Sequence, residues 1–263
     1  VQIGLCQIVS TPDPEANLPL VRDGVAAAAE RGAEVVVFPE ATMACSGARW
    51  SELAEPLDGP WAERVRRIAA EAGVVVVVGM FTPAGDGRVR NTLLVTGPDV
   101  ETHYDKIHLF DAFGYQESKF VAPGERPVTF TVADVTLGVA TCYDVRFPGL
   151  FTALAEQEAS VVLLPASWGA GPGKREQWEL LVRARALDST SWVVACDQAD
   201  PVTVGREPVG AAPCGIGVST VVDPWGRVHS RLGTEPDCLV VDIDPGVVEE
   251  ARRTNPVLAN RRF

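Results

Sequence analysis

The sequence predicts an α/β fold with mixed sheets, and three observations carry the prediction. Two wholly apolar runs, Val35-Val-Val-Phe38 and Val161-Val-Leu-Leu164, are rich in β-branched residues and read as strands covered on both faces. Segments with helical spacing alternate with such runs in the early part of the chain. In the middle, turn signals at Gly85-Asp-Gly87 and Gly97-Pro98 set hairpins side by side, so antiparallel pairs join the parallel ones.

In chain order, Gln2 to Val9 is a first strand, and Asp13 with Pro14 forms an N-cap and first helical position for an alanine-rich helix that Gly32 ends. The strand at Val35 stops abruptly in Pro39-Glu40. Trp61 to Ala72 carries Trp61, Val65, Ile68 and Ala69 on one helical face, and Val74 to Met80 is another buried strand. Asn91 to Thr96 and Glu101 to Leu109 follow as strands. In the second of these, a period of two puts Thr102, Tyr104, Lys106 and His108 on one face. Phe110 to Pro127 has few regular signals and reads as an irregular, functional loop carrying Glu117.

Thr129 to Val132 pairs with Val135 to Thr141 through the Ala133-Asp134 turn, and a helix is expected from Cys142 to about Glu158. The next strand, closed by Pro165, ends as the strand before Glu40 does, which suggests two related halves. Ser167 to Gly173 is a loop. Lys174 to Ser191 is a helix with Trp178, Leu181, Ala184 or Arg185, and Leu187 or Asp188 in register. After a strand at Trp192 to Asp197, residues 198 to 217 read as a Gly- and Pro-rich loop. Three more strands begin at Ser219, Val228 and Cys238, and a helix from Gly246 to Arg253 precedes a tail, 255 to 263. No linker divides the chain, so residues 1–263 are expected to form a single domain.

Composition narrows the function classes. A net charge of −12, from 23 basic and 35 acidic residues, repels nucleic acid and anionic membrane surfaces. No run approaches the roughly 20 apolar residues that span a bilayer. The first nine residues lack a basic leader and a cleavage site and read as a strand instead of a signal peptide. The cysteines Cys6, Cys45, Cys142, Cys196, Cys214 and Cys238 lie far apart with no metal-type spacing. They predict reduced thiols, a cytoplasmic protein and no metal.

Three residues stand where a sheet of this kind assembles a site: Glu40 after a buried strand, Lys106 in a strand, and Cys142 at a strand-to-helix corner. The corner matters because a thiol attacks as thiolate, and a helix N-terminus favours negative charge. Together they can supply a base, a cation for a developing oxyanion and a nucleophile, the set that amide hydrolysis through a thioester requires. Each also has a plainer reading: a capping acid, a solvated edge lysine, one of six buried thiols. A Cys142–His108 dyad is open on spacing alone.

The segments Phe38-Pro-Glu40, Tyr104-Asp-Lys-Ile-His-Leu-Phe110 and Thr141-Cys-Tyr-Asp-Val-Arg-Phe147 resemble the three signatures of the nitrilase, or carbon–nitrogen hydrolase, superfamily. Asn91-Thr92, Gln116-Glu-Ser118 and Trp178 to Ala186 extend the resemblance over nearly the whole chain, with greatest similarity to the ω-amidase-like branch. The resemblance implies an αββα four-layer sandwich of two mixed sheets flanked by helices, a homodimer or higher homo-oligomer, and no cofactor. It assigns Cys142 as nucleophile, Glu40 as base, Lys106 with the backbone N–H of Tyr143 as oxyanion donors, and Glu117 as an orienting carboxylate. His108 then reverts to a structural role. The implied substrate is a small amide bearing a carboxylate, with Arg146, Arg183 and Trp168 as candidates for binding it. N-carbamoyl amino-acid hydrolysis is the alternative, and a non-catalytic small-molecule binding or assembly protein the alternative of another class. The segments Asp111 to Gln116 and Trp168 to Lys174 depart from the ω-amidase pattern and are expected to line the pocket.

Overall fold

Period-two alternation along the strands decides the layering. In the computed structural model, which describes residues 1–208 and 212–262, one six-stranded sheet has the order β14-β1-β2-β3-β4-β5. Its strands are β1 (Gln2–Gln7), β2 (Val35–Val37), β3 (Val75–Pro83), β4 (Val89–Gly97), β5 (Val100–Asp105) and β14 (Asp237–Asp242). The second has the order β13-β12-β11-β10-β9-β8, made of β8 (Val128–Val132), β9 (Val135–Val139), β10 (Val161–Ala166), β11 (Trp192–Asp197), β12 (Thr220–Val222) and β13 (Val228–Arg231).

Both sheets follow one plan. β1, β2 and β3 are parallel, as are β9, β10 and β11, and the flanking strands are antiparallel. Ile3, Leu5, Val35 and Val37 meet Leu137, Val139, Val161 and Leu163 in a core between the sheets. Their neighbours Cys6, Val36 and Phe38 face outward under helices α1 (Pro14–Ala29) and α3 (Pro60–Ala72). On the other side, Val162 and Leu164 face α4 (Pro148–Glu156) and α5 (Lys174–Ser189). The result is a helix–sheet–sheet–helix sandwich. Each fully buried Val or Leu stabilises it by about 1.5–3 kcal/mol relative to exposure.

Local signals act as expected at several points. Asp13 caps α1 by accepting from Glu15 N at 3.0 Å, with Pro14 at the first position. Ala133 and Asp134 have φ of 48° and 65°, the left-handed pair that a two-residue hairpin between β8 and β9 needs.

Elsewhere the structure corrects the reading. The strand expected from Glu101 to Leu109 stops at Asp105, so Lys106 lies beyond it, although Lys106 N still donates to Asn91 O at 2.9 Å. The 110–127 stretch is more regular than its sequence indicates: it holds the hairpin β6 (Asp111–Ala112) and β7 (Tyr115–Gln116), then a 3-10 turn over Glu117–Lys119. The helix after Cys142 is broken into a 3-10 turn, Cys142–Arg146, and α4, because Pro148 restarts it. α5 buries Trp178 and Arg185 of the expected stripe, with Val182, Ala186 and Ser189 buried in place of Leu181 and Leu187 or Asp188. The short helices α2 (Trp50–Leu53) and α7 (Val257–Asn260) add to the expected list, and α6 (Gly246–Thr254) stands where a helix was read. Residues 209–211 of the 198–217 loop and Phe263 of the tail lie outside the described residues.

Candidate active site

Strand ends from both sheets converge on one cavity. β2 runs into Phe38-Pro-Glu40, and the chain turns at once through Ala41, whose φ is +58°. Gly79 makes room for that turn: a Cβ there would sit 2.6 Å from Ala41 N and 2.9 Å from Pro39 O. β5 delivers Lys106, and Gly124 N holds its carbonyl at 2.8 Å. β9 delivers Cys142, which adopts φ of +48°, a left-handed conformation unusual for a side chain of this kind and one associated with functional sites.

The side chains meet in a tight polar cluster. Lys106 Nζ donates to Glu40 Oε1 at 2.8 Å and to Glu117 Oε2 at 2.9 Å, and all three residues are buried. Asn91 Nδ2 also bridges the two carboxylates, at 2.7 Å to Glu40 and 3.2 Å to Glu117. Phe110 N donates to Glu117 Oε2 at 2.6 Å. Ser167, just past β10, joins the second sheet to the cluster. Its N–H donates to Glu40 Oε2 at 2.9 Å, and its carbonyl lies 3.7 Å from Cys142 Sγ. Glu40, Lys106, Glu117, Cys142, Tyr143 and Trp168 all line the same cavity.

Electrostatics gives each group a defined state. Burial by itself lowers the Lys106 ammonium, but the Glu117 and Glu40 carboxylates beside it outweigh that and hold it firmly protonated. Burial, with the Glu40 charge, pushes the Cys142 thiol well above its usual range, against the opposing pull of Lys106. Burial and the Glu40 carboxylate thus favour the thiol over the thiolate, against the helix end, so attack by the sulfur calls for a proton acceptor. Tyr143 N–H stands at the start of the 3-10 turn, where an N–H has no acceptor within the turn.

His108 is held elsewhere. Its Nδ1 is 2.7 Å from Asp144 Oδ1 and its ring stacks on Phe147 at 3.7 Å, so it serves the buried Asp144 network with Tyr104 and Thr141. Arg183 does not meet the expectation placed on it: it is exposed on α5, its Nε donates to Gly226 O at 2.8 Å, and it is not part of the cavity wall. Arg146 lies behind the wall, over the Tyr143 and Trp168 rings at 5.8 and 5.2 Å, with Nη2 on Gln177 at 2.6 Å. Both divergent segments reach the cavity, through Tyr115 on one side and Trp168, Gly169 and Lys174 on the other.

Reading the sequence missed Ser167 and Asp197. Asp197, the last residue of β11, is fully buried and accepts from Trp168 N at 2.7 Å and Ile216 N at 2.9 Å, tying two cavity loops together. Burial pushes its carboxyl up to about 8 in spite of these bonds. Its place at the end of a buried strand was the available signal.

Residues 2–253 match the carbon–nitrogen hydrolase family over almost the whole chain. The chain belongs to the carbon–nitrogen hydrolase family. Among its relatives, a Mycobacterium tuberculosis protein named a hydrolase is 53% identical, with 99% of this chain and 95% of that protein covered. The omega-amidase of Mus musculus is 32% identical over 99% of this chain and 95% of its own length. The nitrilase-superfamily amidase of Nesterenkonia sp. AN1, solved with butyramide, superposes with a TM-score of 0.81 at 27% identity, covering 100% of this chain and 94% of that one. The αββα sandwich is thus the fold of the family, with amidases among its members.

Proposed function

We propose that this carbon–nitrogen hydrolase is a cofactor-free cysteine amidase that releases ammonia from a small amide bearing a carboxylate. The observation that carries the reading is the Lys106 ammonium, buried between Glu40 and Glu117 in the cavity that Cys142 lines. On this reading Cys142 Sγ attacks the amide carbon while Glu40 takes the thiol proton and passes it to the departing nitrogen, which leaves as ammonia. The tetrahedral oxygen is held by Lys106 Nζ and Tyr143 N–H. Water, deprotonated by Glu40, then cleaves the thioester, giving the acid and the free thiol. Glu117 keeps Lys106 charged and aimed, and Ser167 N–H fixes the Glu40 oxygen nearest the second sheet.

The whole chain acts as one catalytic domain in this reading. Six unbridged cysteines, including Cys6 and Cys238 with sulfurs 3.6 Å apart, support a reducing, cytoplasmic setting. Exposed Leu180 and Leu187, seven residues apart on the outer side of α5, support association of two copies. Sedimentation of the protein as a monomer at micromolar concentration would refute that part.

The activity is tested by incubating the protein with succinamate or 2-oxoglutaramate and measuring ammonia, with Cys142→Ala as the control. Ammonia from the wild type and none from the variant is the expected outcome. Equal release from both would overturn the mechanism, carbon dioxide appearing with ammonia from carbamoyl acids would favour carbamoyl hydrolysis, and silence over a broad amide panel would favour a binding role.

A further inference from the structure

Lys174 is the cation of the cavity that the chemistry above leaves unused. It is only 9% exposed, it lines the cavity, and among the described residues it has neither a hydrogen-bond acceptor nor an acidic partner. Its Nζ rests instead on aromatic faces, 3.2 Å from the Phe113 ring centroid and 5.5 Å from that of Phe110. An aromatic face is a weaker partner for an ammonium than an anion is. Burial lowers this ammonium, and the nearby Arg146 guanidinium lowers it further.

The catalytic cluster that lines the same cavity has the opposite sign. Glu40 and Glu117 against Lys106 sum to one negative charge there (−2 + 1), which repels a substrate carboxylate from the reacting centre. The polarity of the cavity therefore orients an acidic amide in one direction only. We propose that Lys174 is the specificity-determining residue that binds the remote carboxylate of the substrate, displacing Phe113 from its ammonium and leaving the neutral amide at Cys142. This rests on the amidase reading for its chemistry. The backbone supports the placement: Trp168 Nε1 donates to Lys174 O at 2.8 Å, which ties the lysine's backbone to a residue of the cavity wall.

The test compares succinamate with butyramide, which has a methyl group in place of the carboxylate. In Lys174→Met, the ratio of kcat/KM for succinamate to that for butyramide falls by about 10- to 100-fold, mainly through KM, and Lys174→Arg recovers most of it. A ratio unchanged in Lys174→Met overturns the assignment. If the wild type hydrolyses neither amide, the amidase reading is judged by the broad amide panel and the subsite, separately, by calorimetric titration of succinate. Tighter binding to wild type than to Lys174→Met sustains it; equal or absent binding to both overturns it.

Discussion

The two sheets are built alike yet contribute opposite halves of the chemistry. β2 and β10 occupy equivalent central places, and each apolar run meets a proline, Pro39 just past β2 and Pro165 as the next-to-last residue of β10. Past β2 stands a side-chain carboxylate, Glu40. Past β10 stands Ser167, which offers its backbone: an N–H to Glu40 and a carbonyl beside Cys142. The first sheet thus holds the charges of Glu40 and Lys106 and the bridging amide of Asn91, and the second holds the thiol and the carboxyl of Asp197. A duplicated frame supplies two convergent sets of strand ends, and divergence at those ends makes a site that exists only while the sheets stay in register. Further bonds lock the register, with Gln198 Nε2 reaching Glu40 O at 2.9 Å and Cys196 Sγ 3.4 Å from Val37 O.

Substitutions in each half separate their roles, beginning with the largest effect. Cys142→Ala in the second sheet should abolish ammonia release while leaving the thermal unfolding midpoint nearly unchanged, since it removes one sulfur from a pocket wall. Lys106→Met in the first sheet should do both kinds of damage. Activity should fall at least 10²- to 10³-fold, roughly the cost of one oxyanion donor. Stability in denaturant titration should fall by about 3–5 kcal/mol, because Glu40 and Glu117 are left buried without their cation. A Lys106→Met protein as stable as wild type would break the contrast between a charged sheet and a neutral one.

Gly79→Ala asks whether the turn after β2 is held as tightly as the geometry requires. The new Cβ forces the Glu40 turn outward, and a shift of about 1 Å is expected to cost roughly 10²-fold in kcat with little change in KM. Asp197 is tested through pH. Its folded carboxyl titrates at about 8, against an ordinary value of about 4. A carboxyl raised in this way holds its proton more firmly folded than unfolded, so its contribution is complete below about pH 4 and lost as pH rises through about 8. The unfolding midpoint should decline over that window. Asp197→Asn should flatten the decline, and an unaltered profile in that variant would remove Asp197 from the account.

Much of this was legible in the residues themselves. Period-two and helical spacings, Pro14 after Asp13, and the Ala133-Asp134 turn specify local structure because they depend on neighbours within a few positions. The β-branched runs marked the central strands β2 and β10, and Glu40 just past β2 and Cys142 just past the neighbouring β9 lie in the cavity. Errors fell where distant partners decide. The strand at Lys106 ends early because its side chain turns into a buried carboxylate pair, and Asp111 to Gln116 forms a hairpin although its sequence lacks a strong strand pattern.

By itself, then, the sequence determined the alternation of elements, the two-part design and the residue types available at the strand ends. Only the tertiary structure decided how they combine. Packing of the two sheets set Ser167 between Glu40 and Cys142, sent His108 to Asp144, and put Lys174 in the cavity while Arg183 stayed outside. It also set burial and a neighbouring carboxylate against the helix end that the local sequence advertises, and these act through space to push the thiol upward.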